Sequence, residues 1–70
     1  MEILADRLHI LRKERHLRQS DVSKELHIAL ITYQRYEANQ REPDAPVIVA
    51  MARFFGVSAD YLLGLTDQRQ

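Results

Sequence analysis

The chain has no cysteine and no tryptophan, only two glycines, two prolines and five aromatic residues, and no net charge across its 70 residues. Without cysteine there is no disulfide framework and no thiolate metal site. The three histidines, His9, His16 and His27, are too scattered for a metal triad. No glycine-rich phosphate loop, no Ser/His/Asp set and no paired carboxylates in an evident cleft stand in the sequence, so no enzyme, metal, cofactor or small-molecule substrate is expected. No apolar run reaches the roughly 18 residues of a membrane span. Met1-Glu2-Ile3 leads into a charged, helix-like stretch and not into the apolar segment of a signal peptide, so a soluble, cytoplasmic protein with no membrane partner is expected.

Apolar residues make up 46% of the chain, enough for a core and too many for disorder. A domain this short buries only about 60% of the surface its unfolded chain exposes, so its core must be dense. The neutral total argues against a nucleic-acid partner, whose usual footprint is a basic excess. The distribution argues the other way. From Arg7 to Arg41 stand Arg7, Arg12, Lys13, Arg15, Arg18, Lys24, Arg35 and Arg41 against Glu14, Asp21, Glu25 and Glu37. Acids dominate outside that span, so positive field gathers in the first two-thirds.

With so few glycines and prolines and little alternation, the pattern predicts short helices joined by tight turns over a single domain, residues 1–70. Leu4, Leu8 and Leu11 mark one face of a first helix from Glu2 to Arg15, with His16 as a left-handed end. Val22 and Leu26 anchor a second helix from Gln19 to Leu26, whose cap position falls on Arg18, a poor capping residue. His27 and Ile28 form the turn to a third helix, Leu30 to Ala38, after which Asn39 suits a left-handed residue. Asp44 is the N-cap of a fourth helix, Ala45 to Phe55, with Ile48, Met51, Ala52 and Phe55 facing inward and Gly56 as its stop. Ser58 caps a fifth, Ala59 to Leu63, closed by Gly64. Order is expected over about 2–65, with a frayed tail. Tyr33, Tyr36, Phe54, Phe55 and Tyr61 read as core and not as base-stacking residues, because their spacing is helical. Ile10 falls off the leucine stripe and reads as an oligomer contact.

The segments Leu17-x-Gln19, Leu26-x-Ile28, Tyr33-Gln34-Arg35-Tyr36-Glu37, Arg41-Glu42-Pro43 and Phe55-Gly56-Val57-Ser58-x-Asp60-Tyr61-Leu62-Leu63-Gly64, together with Leu8, Leu11 and Arg12, resemble the Cro/CI-type, or XRE, helix-turn-helix family in register over nearly the whole chain. The resemblance implies an all-α, compact five-helix bundle of the lambda-repressor-like kind. It implies a third helix that enters the major groove of double-stranded DNA, and binding as a homodimer to palindromic sites. The expected function is a sequence-specific transcriptional regulator, a repressor.

On that pattern the base-reading surface falls on Leu30, Ile31, Gln34 and Arg35, next to Ala29. Family members generally carry polar residues at 29–31. This chain has Ala29-Leu30-Ile31, which cannot hydrogen-bond a base edge but can touch a thymine methyl. The alternative is that Leu30 and Ile31 pack inside or grip a protein partner, which would make the chain an interaction module such as an antitoxin or regulator subunit. Gln19 is expected on the DNA backbone and as a support for the reading helix. Arg18, Asn39, Gln40 and Arg41, with Lys13 or Arg15, are expected to hold phosphates. Ala38 stands where an Asn is common. The resemblance further implies a structural salt bridge between Arg12 and Glu37. The fold uses fifty-odd residues, so no ligand-sensing domain is expected within these 70.

Overall fold

A computed structural model describes all 70 residues and contains five α-helices: α1 Glu2–Glu14, α2 Gln19–Glu25, α3 Leu30–Glu37, α4 Ala45–Phe55 and α5 Ala59–Leu63. The all-α expectation holds, and α1 to α3 each end one residue sooner than their periodicity suggests. The reason is a shared terminator. The residue after each C-cap is left-handed in α1 to α3 (His16, His27 and Asn39, φ 57 to 58°), and the C-cap itself is left-handed in α4 and α5 (Gly56, Gly64). In every case the next N–H reaches back five residues: Leu17 to Arg12, Ile28 to Ser23, Gln40 to Arg35, Val57 to Ala52 and Leu65 to Asp60, at 2.9–3.2 Å. This Schellman geometry satisfies otherwise orphaned carbonyls. It also turns Leu17, Ile28 and Val57 back against the core.

The N-termini are capped as their residues suggest at Asp44, which accepts from Val47 N–H, and at Ser58, which accepts from Tyr61 N–H. The weak cap of α2 is rescued from the other side. Asp21 reaches back to accept the Arg18 N–H at 2.8 Å and also pairs with the Arg18 guanidinium.

The core is Leu4, Leu8, Leu11, Val22, Tyr33, Tyr36, Met51, Ala52, Phe55, Tyr61 and Leu62. It draws on every helix, and α1 lies across both α3 and α5. The radius of gyration, 10.7 Å, is close to the ~11 Å of a fully compact chain of this length. Four of the five aromatic residues expected inside, Tyr33, Tyr36, Phe55 and Tyr61, are buried, while Phe54 is half-buried against the edge of Phe55. Ile48 is a correction. It is only half-buried, and Val47 packs against the core beside it.

The tail is a second correction. Residues 65–70 do not fray away from the bundle. Arg69 grips Glu14 through two 2.8 Å bonds, and its carbonyl accepts from Ser58 N–H. Arg7 on α1 holds Tyr61 O, Thr66 O and Asp67, and its guanidinium lies 4.1 Å over the Tyr61 ring. Long polar side chains on α1 supply partners that the isolated tail lacks.

Candidate functional site

The second and third helices form a bihelical unit. Val22 of α2 and Tyr33 of α3 are fully buried in one contact layer, and Ile28 pins the turn between them. Ala29 is extended, and α3 starts at Leu30. Burying Tyr33 and Tyr36 turns the opposite side of α3 outward. Ile31, Arg35 and Ala38 follow at i, i+4 and i+7, and all three are exposed. Leu30 is 41% and Ile31 53% exposed, which removes the core-packing alternative for this pair. Gln34 is half-buried at the edge of the same face. An α-helix with its side chains is about 10–12 Å across, which the roughly 12 Å B-DNA major groove admits.

The angle of α3 is held at its far end by Glu37. Its carboxylate takes Arg12 Nε at 2.7 Å and Arg12 Nη2 at 3.1 Å. The two side chains are only 10% and 4% exposed. Arg12 also donates to the Leu17 carbonyl at 2.8 Å, tying the loop before α2 to the same group. Gln19 donates its amide to Glu37 at 3.2 Å, so its side chain supports α3 directly. His9, which the sequence reading passed over, places Nδ1 3.2 Å from Glu37 Oε1. Its i, i+3 spacing from Arg12 was the available signal. The Tyr33 hydroxyl approaches this cluster but is the one buried polar side-chain atom outside hydrogen-bond geometry, and burial raises its pKa above the ordinary value.

Burial resists ionisation of Glu37, but Arg12 first, then the neighbouring Tyr33, His9 and Gln19, outweigh it and hold the carboxyl at about 2 against an ordinary 4.5. A depressed acid stabilises the fold above its unfolded pKa and loses that contribution as pH falls through the folded one. The domain is therefore expected to lose roughly 2–3 kcal/mol from this group, allowing for partial solvent screening, as pH drops from 4.5 towards 2. Urea denaturation across that window checks this. The Glu37→Gln variant is expected to show a flatter acid dependence, and an equally steep one would exclude Glu37 as the source.

The other cations divide into two groups. Arg7, Arg15, Arg18 and Arg69 are engaged inside the molecule. Arg15 donates to the Phe55 carbonyl and lies 5.2 Å over its ring. That contact turns it to the α4 end, and the expectation that it holds phosphate is corrected for that reason. Arg18 pairs with Asp21 yet leaves its side chain 81% exposed at the start of α2. Arg35, Arg41, Lys13, Lys24 and Arg53 make no ion pair. Asn39 accepts the N-terminal ammonium on Oδ1 at 3.1 Å, which leaves its amide N–H groups unpartnered beside the exposed Gln40 and Arg41. Beyond Arg12–Glu37–Gln19, three segments therefore keep exposed polar or charged side chains: the outer side of α3, the start of α2 and the loop after α3. No group of His, Asp or Glu is arranged to hold a metal ion.

The helix-turn-helix family matches residues 8–62. Among curated relatives, the chain is 41% identical over 61 residues to an uncharacterized HTH-type transcriptional regulator, YobD, of Bacillus subtilis (strain 168), covering 87% of this chain and 54% of that protein. It is 35% identical over 65 residues to the HTH-type transcriptional regulator AnsR of the same organism (93% and 56% covered) and 31% identical over 61 residues to ImmR, also an HTH-type transcriptional regulator (87% and 48%). The chain spans about half the length of these relatives. No solved structure matches it. With the family match spanning all of α2 to α4 and most of α1 and α5, and the bihelical unit built as described, the chain belongs to the helix-turn-helix family.

Proposed function

We propose that this chain is the DNA-binding unit of a transcriptional regulator, a cytoplasmic repressor that acts as a homodimer by occluding promoter DNA. The observation that carries this reading is the asymmetry of α3. Its inner side is locked by Tyr33, Tyr36 and Glu37, while its outer side, with Arg35, has no intramolecular partner. Gln34 and Arg35 supply polar base readout, Arg35 by a fork that matches guanine O6 and N7. Arg18, Gln19, Asn39, Gln40 and Arg41 hold phosphates and set register. The relatives' description as transcriptional regulators supports the same reading. Local charge outweighs the neutral total, because Asp21, Glu37 and Glu42 are paired within the chain while Arg35 and Arg41 are not.

A homodimer needs a second surface. α1 meets α3 through His9 and Arg12 but meets α5 through Arg7, while Ile3 abuts Gly64. Ile10 lies seven residues from Ile3 in the same helical register and is 45% exposed, with Leu65 75% exposed beyond Gly64. This exposed apolar side suits a two-fold contact.

The test is selection of bound sites from random duplex DNA, followed by anisotropy titration between 50 and 200 mM salt. Affinity is expected to fall log-linearly with salt, by about 0.9 per phosphate held, and Arg41→Ala is expected to flatten that slope by about one. The exposed Leu30/Ile31 pair favours the protein-interaction reading as the rival. Capture of a protein partner, abolished by Leu30→Ser, with no duplex selected at any salt, would establish the rival and overturn the proposal.

A further inference from the structure

Leu30 and Ile31 occupy the first turn of α3 on its exposed side, and the core is complete without them. Their side chains carry no donor or acceptor. The unpaired Arg35 follows one turn later and the unpaired Arg41 stands in the loop beyond, so a polyanion is the occupant whose charge complements this face. Within the major groove almost every group on a base edge is polar: N7, O6, O4 and the two exocyclic amines. An apolar side chain set against those groups removes their water and returns no hydrogen bond. The exception is the C5 methyl of thymine, which gains from apolar contact.

Resting on the DNA-binding reading above, we infer that Leu30 and Ile31 are specificity residues that read pyrimidine C5 methyl groups, so the preferred site carries thymine at one or two adjacent positions facing the start of α3. Consecutive helical side chains diverge by about 100°, so the pair spreads over neighbouring bases and does not stack on one. The same chemistry has a corollary. Neither residue senses the group at C4, so 5-methylcytosine serves in place of thymine wherever this pair supplies the only contact.

The experiment takes the selected duplex and replaces each thymine singly with deoxyuridine, which lacks only the methyl. Anisotropy is measured with the wild-type chain and with Leu30→Ala and Ile31→Ala, whose folding is verified by thermal denaturation. Each contacted methyl is expected to account for about a fourfold change in Kd. That change is expected at one or two adjacent positions and is absent in the matching variant. Cytosine at those positions binds more weakly, and 5-methylcytosine recovers most of the loss. Deoxyuridine duplexes that bind as tightly as thymine ones, or variants that keep the full methyl effect, overturn the inference while leaving sequence-specific DNA binding intact. Failure to select any duplex overturns both.

Discussion

Replacing Glu37 by alanine is expected to destabilise the domain by about 3–5 kcal/mol, because it strands the Arg12 guanidinium in a site where its side chain is 10% exposed. A 70-residue domain has roughly 4–10 kcal/mol in total, so much of the population should unfold near 37 °C. Thermal and urea denaturation followed by circular dichroism measure this. The control is the double variant Arg12→Leu with Glu37→Leu, since an apolar pair removes both charges and the desolvation that accompanies them. It should recover part of the loss and not all, because the Leu17 carbonyl also loses its 2.8 Å donor. DNA affinity should remain impaired in the double variant even where folding returns, because the network setting the angle of α3 against α1 and α2 is gone. Full affinity in a refolded double variant would show that Glu37 supports the fold alone and does not orient the reading helix.

The second large effect is expected at Arg35. It is exposed and makes no ion pair, so Arg35→Ala should leave the melting temperature nearly unchanged. Loss of a bidentate guanine contact weakens binding by about 1–3 kcal/mol, or roughly 5- to 150-fold, and relaxes the base preference at one position of the selected site. Arg35→Lys keeps the charge and loses the fork, so it should recover salt dependence more than base preference. If lysine restores both, Arg35 holds a phosphate and the readout lies with Gln34 and its apolar neighbours.

Helix existence was legible because it rests on contacts within four or five positions. Leu4, Leu8 and Leu11 share a face by period alone, Asp44 and Ser58 cap the helices they precede, and Gly56 and Gly64 stop them. Gly64 also meets a neighbour that no local rule contains, since a Cβ there would press on the Ile3 side chain of α1 and require it to shift. The only local signature of His9 is its i, i+3 spacing from Arg12, because the carboxylate that gives the pair its purpose, Glu37, is 28 positions away. Arg15 was misplaced for the same reason, as a surface cation whose acceptor, the Phe55 carbonyl, is 40 positions distant. Nothing local marks the tail as ordered, because its anchors on α1, Arg7 and Glu14, lie 55 to 60 residues back.

Residue order alone therefore determined five short helices, most of the apolar core and the bihelical unit at the centre of the family resemblance. Those features come from hydrophobic period, capping chemistry and turn residues acting over a few positions. The helical spacing of Tyr33 and Tyr36 already marks the inner side of α3, and tertiary packing decided that Leu30 and Ile31 face out and not inward. It also gathered Arg12, His9, Gln19 and Glu37 at one point and divided the arginines into those spent within the molecule and those left facing solvent. Charge carries no address along a chain, and its partner is chosen only when the helices meet.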